Sequence, residues 1–163
     1  MKNNAVVSFL MAALIGLTLG GCARGLKPEQ QAMVNSCAVS ARERAAAFDA
    51  LRGQLTAVDP AEAELLARYV TAHQEGLNAE ASGLHDLAAA AQAGSKFSRQ
   101  TRRALADAAV TAQSRAENFR KAAPRFRAAG QLANYLAAHQ AALDAQTVAL
   151  EKLTAAIPPE ERK

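Results

Sequence analysis

Tryptophan is absent from this 163-residue chain, and aromatic residues make up only 4% of it. About a quarter of the residues are alanine. Small side chains of high helical propensity favour helices that approach one another closely, because each helix brings little core volume. Proline and glycine are sparse, at five and nine residues, so long uninterrupted elements are expected. No Cys-x-x-Cys-His, no Glu-x-x-His and no methionine at ligand spacing occurs. The usual sequence signs of covalent haem and of carboxylate-bound metal pairs are therefore missing. The serines, aspartates and histidines form no defensible Ser-His-Asp set. These absences point away from an enzyme, and no cofactor or small-molecule substrate is implied.

The longest apolar run, residues 5–19, covers about 15 residues, short of the roughly 20 that a membrane-spanning helix needs. One positive charge, Lys2, precedes it, and Leu19-Gly20-Gly21-Cys22 closes it. A charged start, a short apolar stretch and small residues are the layout of a secretory signal. The tetrapeptide resembles the lipobox of bacterial lipoproteins, an aliphatic residue and two small ones before a cysteine. The resemblance implies cleavage before Cys22, two acyl chains on its sulfur and usually a third on its new amine. Such an anchor is stable, whereas a single chain is marginal. Ala23 stands where an aspartate commonly retains Gram-negative lipoproteins in the inner membrane, so the resemblance implies the outer membrane, facing the periplasm.

On this reading residues 1–21 are the signal and 22–27 the lipidated cysteine with a short tether. Cys37 is then a lone thiol that cannot close an internal disulfide. It is either buried or links two copies, and burial is the expectation. The final Arg162-Lys163 is similar to the end of murein lipoproteins, whose last lysine is attached to peptidoglycan. The Pro-Pro-Glu-Glu before it departs from that family's continuous helix.

Punctuation in the remaining chain predicts four helices. Pro28-Glu29 suits a helix start, with proline in the first turn and an acid at the positive end of the dipole. The first helix is expected to reach about Thr56. Asp59-Pro60 is a cap followed by proline, opening a second helix to about Ala93. Gly94 and Ser98 bracket the next loop. The third helix ends either at Ala123-Pro124 or at Gly130. The fourth runs to Ile157, where Pro158-Pro159 stops it, and residues 158–163 form a tail.

The chain also repeats itself. Residues 67–84 and 133–150 are identical at eight of 18 positions, including a tyrosine, a His-Gln pair and two leucines. A weaker A-x-x-R-A-x-x-F pattern recurs at Ala41 to Phe48 and at Ala112 to Phe119. A duplicated helical hairpin, about 28–93 and 98–157, predicts an all-α fold: an antiparallel up-down four-helix bundle.

Heptad spacing gives each helix an apolar seam, running through Val34, Phe48, Leu77, Leu84, Leu105, Ala108, Phe119, Leu143 and Leu150. Its polar exceptions are Arg44, His73, Glu80, Arg115, His139 and Gln146. Parallel diagonal helices place His73 and His139 at one height, with Glu80 and Gln146 two turns further along, roughly 10 Å. A turn near residues 57–60 sets Arg44 level with His73. Two readings follow. Buried polar groups must pair, so the six form a buried network. The alternative is a haem or metal held by His73 and His139. Tyr69 and Tyr135 are expected at the core edge with hydroxyls in water, and His85 on the surface.

Charge is segregated. Residues 59–93 carry six acids and one base, and residues 96–127 carry nine bases and two acids. Adjacent second and third helices would complement each other. The up-down topology also returns Lys96, Arg99, Arg102 and Arg103 to the anchored end, where lipid headgroups are the candidate contact at about 1 kcal/mol per base. An exported chain has no nucleic acid to meet, despite its net charge of +4. The expected partners are a membrane, an envelope protein or a second copy.

Overall fold

Four helices account for most of the computed structural model, which describes residues 26–93 and 99–157. They are α1 (Pro28–Leu51), α2 (Ala63–Gln92), α3 (Arg99–Ala122) and α4 (Gln131–Ala156). Pro28 sits in the first turn of α1, where its missing N–H is no loss. Gln30 turns back to accept from the Lys27 amide at 3.0 Å.

The helices form two hairpins, α1 with α2 and α3 with α4. These pack together with α1 against α4 and α2 against α3. This is the four-helix bundle the repeat implied. Side chains fix which ends meet: Gln30 donates to the Ala156 carbonyl at 2.8 Å, and Gln31 to that of Ala91 at 3.2 Å. The starts of α1 and α3 and the ends of α2 and α4 therefore share one end, termed the near end.

The far end differs from expectation. Helix α1 stops at Leu51 rather than near Thr56, and a 3-10 turn (Arg52–Gln54) follows. Helix α3 stops at Ala122, with a matching 3-10 turn (Ala123–Arg125). Two-residue strands come next, β1 (Thr56–Ala57) and β2 (Phe126–Arg127), paired antiparallel. Asp59 does cap, as expected, by accepting from the Ala61 amide at 2.9 Å. It caps a 3-10 turn, Pro60–Glu62, and α2 proper begins at Ala63. No alternating run announces strands this short, which explains their invisibility in the sequence.

The core is a stack of two apolar clusters. The near one includes Val34, Cys37, Leu84, Leu105, Leu150 and Leu153, and the far one Phe48, Leu77, Phe119, Phe126 and Leu143. Most seam positions are buried as the heptads require. Ala108 is an exception: it is half-buried, and the next residue, Ala109, takes the inward place. Cys37 is buried at 4% exposure, and burial pushes its thiol up to about 11. Among the described residues no helix is long and apolar enough to cross a membrane.

Two glycines of the far end test this backbone. Gly130 leads into α4 at φ +56°, where L side chains are strained, whereas a Cβ on Gly53 would meet nothing. Gly130→Ala is expected to destabilise the protein by about 1–3 kcal/mol. Gly53→Ala is expected to be neutral or stabilising by up to about 1 kcal/mol. Urea denaturation followed by circular dichroism measures both.

Candidate functional site

Six polar residues at seam positions lie inside the bundle, in two layers. Arg44 and Arg115 occupy equivalent places in the repeated A-x-x-R-A-x-x-F pattern, on α1 and α3. From α1, Nη2 of Arg44 donates to Oε1 of Glu80 at 2.8 Å, and Nη1 donates to Oε1 of Gln146 at 3.1 Å. The second oxygen of Glu80, Oε2, is met by Nη1 of Arg115. One carboxylate on α2 thus bridges guanidinium groups on α1 and α3, while α4 contributes Gln146. The three charged side chains are 4–9% exposed. Burial brings both arginines down to about 10, with the Arg44 charge adding to the effect on Arg115. Both stay cationic at neutral pH, so the sealed layer holds two positive charges against one negative.

No spacing along the chain marks Gly76. A glycine inside a helix ordinarily costs about 1 kcal/mol relative to alanine. Here a Cβ would stand 3.2 Å from Nε and 3.3 Å from Nη2 of Arg115. The missing side chain is what lets that guanidinium lie against α2.

The second layer is the histidine pair. Nε2 of His73 and Nε2 of His139 are 3.1 Å apart, at the matched height that parallel diagonal helices predicted. Phe48 packs on His73 at 4.8 Å between ring centroids and on His139 at 5.1 Å. Phe119 reverses the two distances, 4.8 Å to His139 and 5.1 Å to His73. Tyr69 stacks on His73 at 5.5 Å and Tyr135 on His139 at 5.6 Å. The duplication is therefore an approximate two-fold axis that carries side-chain geometry as well as helices. Gln74 and Gln140 obey it too. Each donates across its own hairpin, to the carbonyls of Ala45 and Ala116. The repeated His-Gln pair was visible in the sequence, but this role was not.

Two expectations need correction. Arg44 is level with Glu80 and Gln146, and Phe48 takes the place beside His73. The turn was expected straight after a helix that reached Thr56. Instead, residues 52–57 climb as 3-10 and extended chain, at about 2.0 and 3.3 Å per residue rather than 1.5 Å. That lifts the turn and drops Arg44 relative to α2. The tyrosine hydroxyls also turn inward instead of reaching water. That of Tyr69 lies 3.4 Å from Nδ1 of His73, and that of Tyr135 is buried without a hydrogen-bond partner.

The pair's protonation follows from its surroundings. Burial, then the neighbouring His139 and the two arginines, lowers His73 to about 3. Burial and the Arg44 charge lower His139 to about 4. Both rings are neutral at pH 7 and share one N–H···N bond. Where the Tyr69 hydroxyl donates to Nδ1, the His73 proton is on Nε2 and points at His139.

This arrangement does not fit the haem or metal alternative. Two imidazoles on opposite sides of an iron would each stand about 2 Å from it, and Phe48 and Phe119 fill the space a macrocycle would need. Among the described residues no group of three or more His, Cys, Asp or Glu side chains is placed to hold a metal ion. Glu80, the carboxylate nearest in the seam, is already committed to two arginines.

Of the remaining candidates, His85 is exposed, with Nδ1 3.2 Å from Nη2 of Arg42. Arg99 and Arg103 are exposed and Arg102 half-buried at the start of α3, at the near end. Lys96 and the motif Leu19-Gly20-Gly21-Cys22 lie outside the described residues. At the far end a groove of about 450 Å³ opens beside Leu55, Leu66, Val70 and Phe126. Compared with known proteins, the chain matches no family model, no curated protein and no solved structure.

Two measurements test the layers. Removing one partner from a buried ion pair costs about 3–5 kcal/mol, so Glu80→Gln should lose that much in urea denaturation. Adding Gln146→Glu puts a carboxylate at the two-fold equivalent position and should recover most of the loss. Acid tests the histidines. Their folded pKa values lie below the ordinary 6.5, so the unfolded chain binds more protons. The stability they give is full above about pH 6.5 and is lost as pH falls toward about 4 for His139 and about 3 for His73. The slope should approach about 1.4 kcal/mol per pH unit for each ring. Between pH 6.5 and 5, a His73→Gln, His139→Gln double variant should show little of that slope.

Proposed function

We propose that this protein is a membrane-anchored lipoprotein of the bacterial cell envelope with a structural or binding role and no catalytic one. The observation that carries this reading is Leu19-Gly20-Gly21-Cys22 behind a short apolar run. It supplies a cysteine to acylate and a site to cleave. The bundle begins at Pro28, a few residues later.

The interior supports the non-catalytic half of the proposal. Arginines, glutamate and histidines that could do chemistry are committed to one another beneath the surface, where a substrate would have to displace ring packing to reach them. A rigid body on a short tether suits a partner-binding or self-associating role. Attachment of Lys163 to the cell wall fits this geometry poorly, because α4 ends at Ala156 on the near end, beside the start of α1.

Metabolic labelling with a radioactive or clickable fatty acid tests the anchor. The wild-type chain should take up label, lose residues 1–21 and partition into detergent. Cys22→Ser should do none of these. Normal acyl labelling of that variant would sink the proposal. Crosslinking in the native membrane, followed by mass spectrometry, then identifies what the bundle holds.

A further inference from the structure

The arginines of the two ends of the bundle are treated differently. At or toward the far end four are matched by acids, while Arg127 donates to the Val58 carbonyl. Arg52 pairs with Asp49, Arg68 with Glu64, Arg120 with Asp144 and Arg125 with Glu62. The Arg125 pair holds both carboxylate oxygens of Glu62 and keeps that acid below the usual carboxylate range. At the near end, Arg99 and Arg103 are exposed and make no ion pair with any described residue.

Their position makes this more telling. Arg99, Arg102 and Arg103 crowd the first turns of α3, which carries no acid in its first turn. Unpaired amide N–H groups already make a helix start positive, so cations there oppose the dipole. The acid in the first turn of α1, the other helix that starts at this end, is the exposed Glu29, two residues after Lys27. A local arrangement that lowers the stability of its own helix marks a surface whose counter-charge comes from outside.

The chain outside the structure says what lies there. Residues 23–25 separate Cys22 from Leu26, and four steps of fully extended chain reach at most about 14 Å. A bilayer holding acyl chains on Cys22 therefore lies within that distance of the end where α1 and α3 begin.

We infer that the near end is a contact surface for anionic phospholipid headgroups of the bilayer that holds the anchor, with Arg99 and Arg103 as the contacting side chains and Arg102 beside them. This rests on the lipoprotein reading above. The contact sets orientation: the bundle stands on its near end and presents β1, β2 and the apolar groove away from the lipid.

Hydrogen exchange on the mature acylated protein tests the inference. The protein is reconstituted into vesicles of phosphatidylcholine alone and of phosphatidylcholine with phosphatidylglycerol. Its acyl mass is confirmed first. Peptides covering residues 99–105 should exchange on the order of threefold more slowly on the anionic vesicles. High salt should abolish the difference. Peptides from β1 and the start of α4 should exchange alike on both. The Arg99→Glu, Arg103→Glu variant should lose the protection, and it should fold, since acids suit a helix start. Equal exchange of residues 99–105 on both vesicles, in protein whose acyl mass is present, would overturn the headgroup contact alone. Absence of the acyl mass would overturn the lipoprotein reading and this inference with it.

Discussion

One carboxylate holds the centre of this bundle. Glu80 accepts from Arg44 on one side and is ion-paired with Arg115 on the other, so that α1, α2 and α3 meet at a single anion. Gln146 closes the ring from α4 by accepting from Arg44. The layer separates the two apolar clusters, with Ala41 and Leu84 on the near side and Ala45 and Leu77 on the far side. Alanine-rich helices slide easily along one another, because small side chains interlock weakly. A buried ionic contact removes that freedom, since a one-turn slip would strand a charge in a dry core. The histidine pair acts in the same direction two turns away, through a single N–H···N bond inside an aromatic box.

Much of this was legible in the chain. Arg44, His73, Glu80, Arg115, His139 and Gln146 each break an apolar seam, and all six are buried. The matched height of the two histidines followed from the repeat alone. The level of Arg44 is not legible in the same way, because it depends on how residues 52–57 travel. Short 3-10 and extended stretches leave no periodic trace, yet they change the rise per residue enough to shift a helix by more than a turn. Gly76, Gln74 and Gln140 carry no mark in the sequence, for a different reason. Their roles arise from a neighbour across a helix interface, so no spacing along the chain reports them.

The two-fold relation clarifies which features matter. Phe48 and Phe119, Tyr69 and Tyr135, and Gln74 and Gln140 keep ring and hydrogen-bond distances within 0.2 Å of each other in the two halves. Where the halves differ, the structure changes locally. Hairpin one has Gly53, Leu55 and Val70 where hairpin two has Pro124, Phe126 and Leu136, and the apolar groove opens on the side of the smaller residues. Glu80 has Gln146 as its counterpart, and the charge layer is left one anion short. The exposed Arg99 and Arg103, by contrast, belong to one end only.

That missing anion gives the halves unequal dependence. The first hairpin carries its own counter-ion, because Arg44 and Glu80 both belong to it. The second brings Arg115 with only an amide to answer it, and must borrow the carboxylate of the first. Two copies of the second hairpin joined face to face would enclose two cations and no acid. The duplicated halves are therefore not interchangeable, since only the first supplies the anion that both arginines share.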